Sequence, residues 1–144
     1  MRIKCPACGI QFGIEVALQE DAGRELLGEL ARLSAPLGRA LVAYLGLFRP
    51  AERVLSWGRA LQLARAALAL GPEHVLLPAL DDTLAALADK RGQPGWQPLK
   101  NHNYLKRVCD SVAASQVARA ELPAAAPAGG RASRHRQALT ALDD

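Results

Sequence analysis

Aromatic side chains are scarce in this chain of 144 residues, which has two Trp, two Tyr and two Phe. Strands draw on aromatic and β-branched residues, so the scarcity excludes a mainly-β protein. No apolar run reaches the roughly 18 residues that would span a bilayer, so no integral helical membrane protein is expected. A secretory leader is lacking too, because Cys5 and Cys8 fall where its apolar stretch would lie, and a cytoplasmic location is the expectation. Cysteine is rare and odd in number, at three, which does not suit a secreted disulfide framework. The chain also lacks a glycine-rich phosphate loop, a Ser-His-Asp or Cys-His arrangement at workable spacing, and clustered carboxylates. Asp81-Asp82, the single acidic pair of note, reads as a helix-start feature. No enzyme is expected.

What is abundant is Ala (28) and Leu (24), and leucine recurs at helical spacing. Leu26, Leu27, Leu30 and Leu33 make the apolar stripe of a first helix over about 17–33. Ser34 and Pro36 end it and open a second, striped by Leu37, Leu41, Tyr44, Leu45 and Phe48 and broken by Pro50. A third runs from about 51 or 56 to 70, with Trp57, Leu61, Ala64 and Leu68 on one face, and Gly71-Pro72 stops it. A fourth is expected over about 78–90, with Leu80, Leu84 and Leu87 inward. Residues 91–99 are a loop by composition. A fifth helix starts near Asn101 or Asn103, either of which can act as N-cap, and buries Leu105, Val108, Cys109 and Val112. Cys109 is expected to be a buried free thiol. Ahead of the helices, residues 1–15 read as a hairpin around a CPACG turn, with Gly9 and Gly13 available for positive φ. From Glu121 onward, Pro, Ala and Gly cannot make a core. The expected architecture is a mainly α domain of about five helices (16–120), preceded by a CxxC β-hairpin (1–15) and followed by a disordered basic tail (121–144).

Charge is distributed unevenly. The balance of 18 basic and 14 acidic residues is modest, at +4. Yet no acid lies between Glu52 and Glu73, nor between Asp89 and Asp110, and Arg131, Arg134 and Arg136 precede Asp143 in the tail. Three basic stretches free of acids suggest a polyanion as partner.

Two thiolates three apart on a tight turn can hold one face of a tetrahedral Zn²⁺, which makes Cys5 and Cys8 candidate metal ligands in a zinc-ribbon-like knuckle. Cys109 with His74 or His102 could complete the site, or a second copy of the chain could supply two more thiolates in a homodimer. The alternatives are a knuckle that holds no metal and a redox pair, although the βαβ pattern of a thioredoxin-type CxxC does not follow. The third helix, presenting Arg59, Gln62 and Arg65, is compatible with helix-turn-helix reading of base edges.

Gly95 to Val108, GWQPLKNHNYLKRV, concentrates amides, cations and aromatics. Lys100, Lys106 and Arg107 could contact phosphates. Asn101 and Asn103 could donate to phosphate or base, and Trp96 or Tyr104 could stack on an unpaired base. Asn103, Tyr104, Leu105 and Val108, opening a basic helix, resemble the closing segment of phage and plasmid replication proteins, including the DnaD-type replisome organisers. The CPxCG start joined to a Leu/Arg-rich helical body is also similar to small prophage proteins linked to replication genes. The resemblance implies a non-enzymatic DNA-binding accessory protein of phage or prophage replication. Lys100, Asn101, Asn103, Tyr104, Lys106, Arg107 and the tail residues Arg131, Arg134 and Arg136 would then form its nucleic-acid contact. The alternative expectation is an adaptor whose Leu-rich helices bind a replication or regulatory protein.

Overall fold

Serine caps set the helix starts. Ser34 Oγ accepts from the Leu37 N–H at 3.3 Å, and Ser56 Oγ accepts from the Arg59 N–H at 3.3 Å. Each satisfies one of the amides left unpaired in a first helical turn. The computed structural model describes residues 2–4, 11–50 and 53–122. Among these residues, strands β1 (Arg2–Lys4) and β2 (Gln11–Gly13) pair antiparallel, with Ile3 opposite Phe12. A 3₁₀ turn (Ile14–Leu18) leads to helices α1 (Asp21–Ala31) and α2 (Ala35–Leu45). A second 3₁₀ turn (Gly46–Phe48) is followed by α3 (Trp57–Leu68), α4 (Glu73–Arg91) and α5 (Asn103–Glu121). The protein is mainly helical, as its leucine spacing predicts.

The core gathers one face from every helix. Leu41, Tyr44, Ala64, Ala67, Ala79, Leu80 and Leu105 lose all contact with solvent. Helix α1 packs on α3, while α2 and α5 pack on α4. Alanines at the inner positions let the helices approach closely. Cys109 is a buried free thiol on the stripe of α5, as expected. Among the described residues, no helix is long and apolar enough to cross a membrane.

The structure departs from expectation in three places. Helix α4 starts at Glu73, ahead of Pro78, which stands inside it. Proline has no N–H to give to the carbonyl four residues back, which is that of His74. Gln116 Nε2, from α5, donates to that carbonyl at 2.7 Å, so a tertiary contact satisfies what the proline leaves open. Second, α2 and α3 are separated by residues 46–56, a link built of a 3₁₀ turn and Pro50. The helix-turn-helix motif needs a turn of about three or four residues, so this pair is not one. Third, Gly13 is extended (φ −77°, ψ 149°) because it pairs with Arg2 in the ladder. The CPACG turn, Gly9 and the chain beyond Leu122 lie outside the described residues.

Candidate nucleic-acid interface

The opening of α5 is tied back to the end of α2. Asn101 Oδ1 accepts from the Asn103 N–H at 3.1 Å, an Asx turn that commits this side chain's oxygen to starting the helix. His102, and neither asparagine, takes the cap position, and its ring turns inward. Its Nδ1 lies 2.9 Å from the Tyr44 hydroxyl. The His102 ring centroid is 5.7 Å from that of Tyr44 and 5.2 Å from that of Phe48, while Tyr44 and Phe48 meet edge to face.

Burial, and secondarily the Cys109 thiol, push the Tyr44 hydroxyl above the ordinary tyrosine range. Burial, and secondarily the Arg59 guanidinium, push His102 below the usual imidazole value. Burial thus favours the neutral forms of both groups, which share one hydrogen bond between the hydroxyl and Nδ1. The other ring nitrogen, Nε2, is buried and has no hydrogen-bond partner among the described residues. This aromatic joint holds the start of α5 against the end of α2.

A second tether acts on the loop between α4 and α5. The Leu99 N–H donates to the Leu47 carbonyl at 2.9 Å, and the Trp96 N–H donates to the Gln93 carbonyl at 3.2 Å. Gly95 makes the intervening turn at φ 89°, where a side chain would be strained. The loop is thereby laid against the end of α2. Arg49, Pro50, Arg91, Trp96 and Pro98 line a cleft there of about 280 Å³. The Arg91 guanidinium reaches across to Gly46, where an added Cβ would lie 3.9 Å from both of its terminal nitrogens. Among the described residues, no carboxylate lines this cleft.

Lys100, Asn101, Asn103, Tyr104, Lys106 and Arg107 are all exposed on the loop end and the first turns of α5. Trp96 is half-buried. Among the described residues, none of Arg49, Arg91, Lys100, Lys106 and Arg107 enters an ion pair. Arg65 differs. Its guanidinium lies 2.8 Å from Glu25 and 3.3 Å from Glu29, both on α1, so it is not an outward reading residue. Arg131, Arg134 and Arg136 lie outside the described residues, as do Cys5 and Cys8. Among the described residues, no group of three or more His, Cys, Asp or Glu is placed to hold a metal ion.

Arg49 and Arg91 were not legible as site residues. Arg91 belongs to an acid-free stretch, which is a weak signal, and Arg49 stands alone before Pro50. Only the chain reversal between them brings the two together.

Residues 1–101 match the family HI_1489_N, an N-terminal domain, and the match takes in the whole lining of the cleft. An uncharacterized protein of Haemophilus influenzae is 41% identical over 114 residues, covering 75% of this chain and 62% of that relative. The chain therefore spans less than two thirds of the length of the curated relative. No solved structure matches it.

Proposed function

The chain belongs to the HI_1489_N N-terminal domain family, and from that premise we propose that it is a non-enzymatic nucleic-acid-binding accessory protein acting on DNA in replication. One observation carries the reading: two arginines and a tryptophan meet in a cleft that, among the described residues, no carboxylate lines, and Lys100, Lys106 and Arg107 are exposed at the following loop end and helix start. Guanidinium forks suit phosphate oxygens, and cations that form no ion pair among the described residues are free to displace counterions from a nucleic acid. Asn103 and Tyr104, exposed at the start of α5, orient the strand, and the tail arginines add non-specific attraction. The place in replication, in a phage or prophage, rests on the resemblance of residues 95–108 to replication proteins.

Fluorescence anisotropy with a labelled DNA at two salt concentrations tests the binding. Affinity should fall steeply with salt, and the Lys106→Ala/Arg107→Ala variant should bind more weakly with a shallower slope. Binding that is absent, or indifferent to both changes, rejects the reading. Zinc at Cys5 and Cys8, shared with the same pair of a second copy, belongs to this proposal. Metal content together with solution mass checks it, with one zinc per two chains expected.

A second reading has its own observation. Phe12, Ile14, Leu27, Leu30, Val42 and Trp57 border an apolar groove between β2 and the helices, with Phe12 39% and Val42 53% exposed. Such a groove suits the apolar face of a partner's amphipathic helix, which is the adaptor alternative. Recovery of one stoichiometric protein from nuclease-treated lysate, lost on Val42→Asp, would favour it over DNA binding.

A further inference from the structure

We propose that the cleft formed by Arg49, Arg91 and Trp96 is a pocket for one unpaired nucleotide, so that the protein prefers single-stranded DNA to duplex. The inference rests on the nucleic-acid reading above and narrows it to a form of strand.

Size is the first argument. A cleft of about 280 Å³ lies at the small end of ligand pockets, which begin near ~300 Å³. It has room for a single base with its phosphate and not for the width of a double helix. The chemistry of the walls is the second. Trp96, Pro50 and Pro98 offer flat apolar surfaces, and the face of an indole stacks on any base. Arg49 and Arg91 both line this cleft, and guanidinium groups are suited to phosphate oxygens.

Preorganisation is the third argument. The Leu99–Leu47 and Trp96–Gln93 hydrogen bonds hold the loop and its half-buried tryptophan before any ligand arrives. Ordering entropy that would otherwise oppose binding is already spent in folding.

A fourth argument runs against duplex reading. Bases inside a double helix expose only their edges, and reading those takes a helix or ribbon that projects into a groove. The one helix whose sequence suggested such a role, α3, has Arg65 bound to Glu25 and Glu29 of α1 and is joined to α2 by a link too long for the motif. A concave pocket holding an aromatic face is therefore better matched to a base that has already left its stack. Lys100, next to Leu99 in the tethered loop, and Lys106 then contact neighbouring phosphates of the same strand.

The test uses the full chain carrying Trp57→Phe, which leaves Trp96 as its one tryptophan. An oligothymidine of about 15 nucleotides, a duplex of equal length and free thymidine monophosphate are titrated separately. The expected result is saturable quenching of Trp96 emission by the oligothymidine, with affinity at least fivefold above that for the duplex. Trp96→Ala should weaken oligothymidine binding about tenfold, the order of one base stack. Arg91→Gln, on an exposed side chain that cannot disturb the core, should weaken it too, and circular dichroism melts confirm that each variant folds.

Equal affinity for both DNA forms with Trp96 emission unmoved overturns the pocket while leaving DNA binding in place. Saturation by the free mononucleotide at the oligothymidine's affinity overturns the strand assignment in favour of a nucleotide site. Absence of binding by all three probes removes both this inference and the reading beneath it.

Discussion

Arg65 and Arg91 carry the same charge in different company. Arg65, at the seam of α1 and α3, is clasped by Glu25 and Glu29. Arg91, at the end of α4, lines a cleft with Arg49, Trp96 and two prolines, and among the described residues no carboxylate joins them. One cation closes a helix seam, and the other has no carboxylate beside it among the described residues. Counting basic residues treats the two alike. Only the question of which carboxylates lie within reach separates a paired cation from an open one.

The contrast can be broken hardest by removing the joint that assembles the open end. Tyr44 is fully buried and bonded to His102, so Tyr44→Ala should destabilise the fold by roughly 3–5 kcal/mol, read from urea unfolding. Tyr44→Phe, which leaves the imidazole Nδ1 without its partner, should cost about 1 kcal/mol. A loss from the alanine variant below that of the phenylalanine variant would mean that the ring does not hold α2 to α5.

The cations themselves can be exchanged next. Arg49→Ala/Arg91→Ala should lower the slope of log affinity against log salt by roughly 1.4 on single-stranded DNA, about 0.7 for each phosphate no longer neutralised. Arg65→Ala should leave that slope unchanged. Equal effects from the two sets would erase the distinction between paired and open arginines.

A smaller effect follows from pH. His102 has a folded pKa below its unfolded value, so the unfolded chain takes up the proton first as pH falls. Its contribution to stability is complete above roughly pH 6.5, the usual imidazole value, and is lost progressively below it. The melting temperature should drop between pH 7.5 and 5.5, and His102→Gln should flatten the drop. An unchanged profile in that variant would place the titrating group elsewhere.

Smallest of all is the release of Arg65. The pair of changes Glu25→Gln and Glu29→Gln frees its guanidinium while barely moving the unfolding midpoint, since exposed ion pairs contribute little. A slight gain in non-specific DNA affinity at low salt is expected. It would sharpen the comparison by showing that pairing, and not position on a helix, decides what this arginine does.

The fold was largely legible because its signals are local. The leucine stripes, the serine caps and the Gly71-Pro72 stop act within a few residues, and each helix they announce is present. Legibility failed where a distant residue repaired a local fault. Pro78 reads as a helix start because proline removes a hydrogen bond, and the Gln116 side chain that answers the stranded His74 carbonyl lies 42 residues away. His102 reads as one of three scattered histidines, and its partner Tyr44 lies 58 residues away. Of the candidate site, Lys100, Lys106 and Arg107 were visible as charge without acids nearby, whereas Arg49 gave no signal at all.

The amino-acid order by itself determined the helices and the surplus of cations, because periodicity, capping and charge are properties of neighbours along the chain. Tertiary structure alone decided which cations are spoken for. Arg65 meets its carboxylates across 36 and 40 residues of sequence, and Arg49 reaches the cleft with Arg91 and Trp96 only after the chain has turned back on itself. Ion pairing acts over a few ångströms of space, and no local pattern records which residues packing will bring that close.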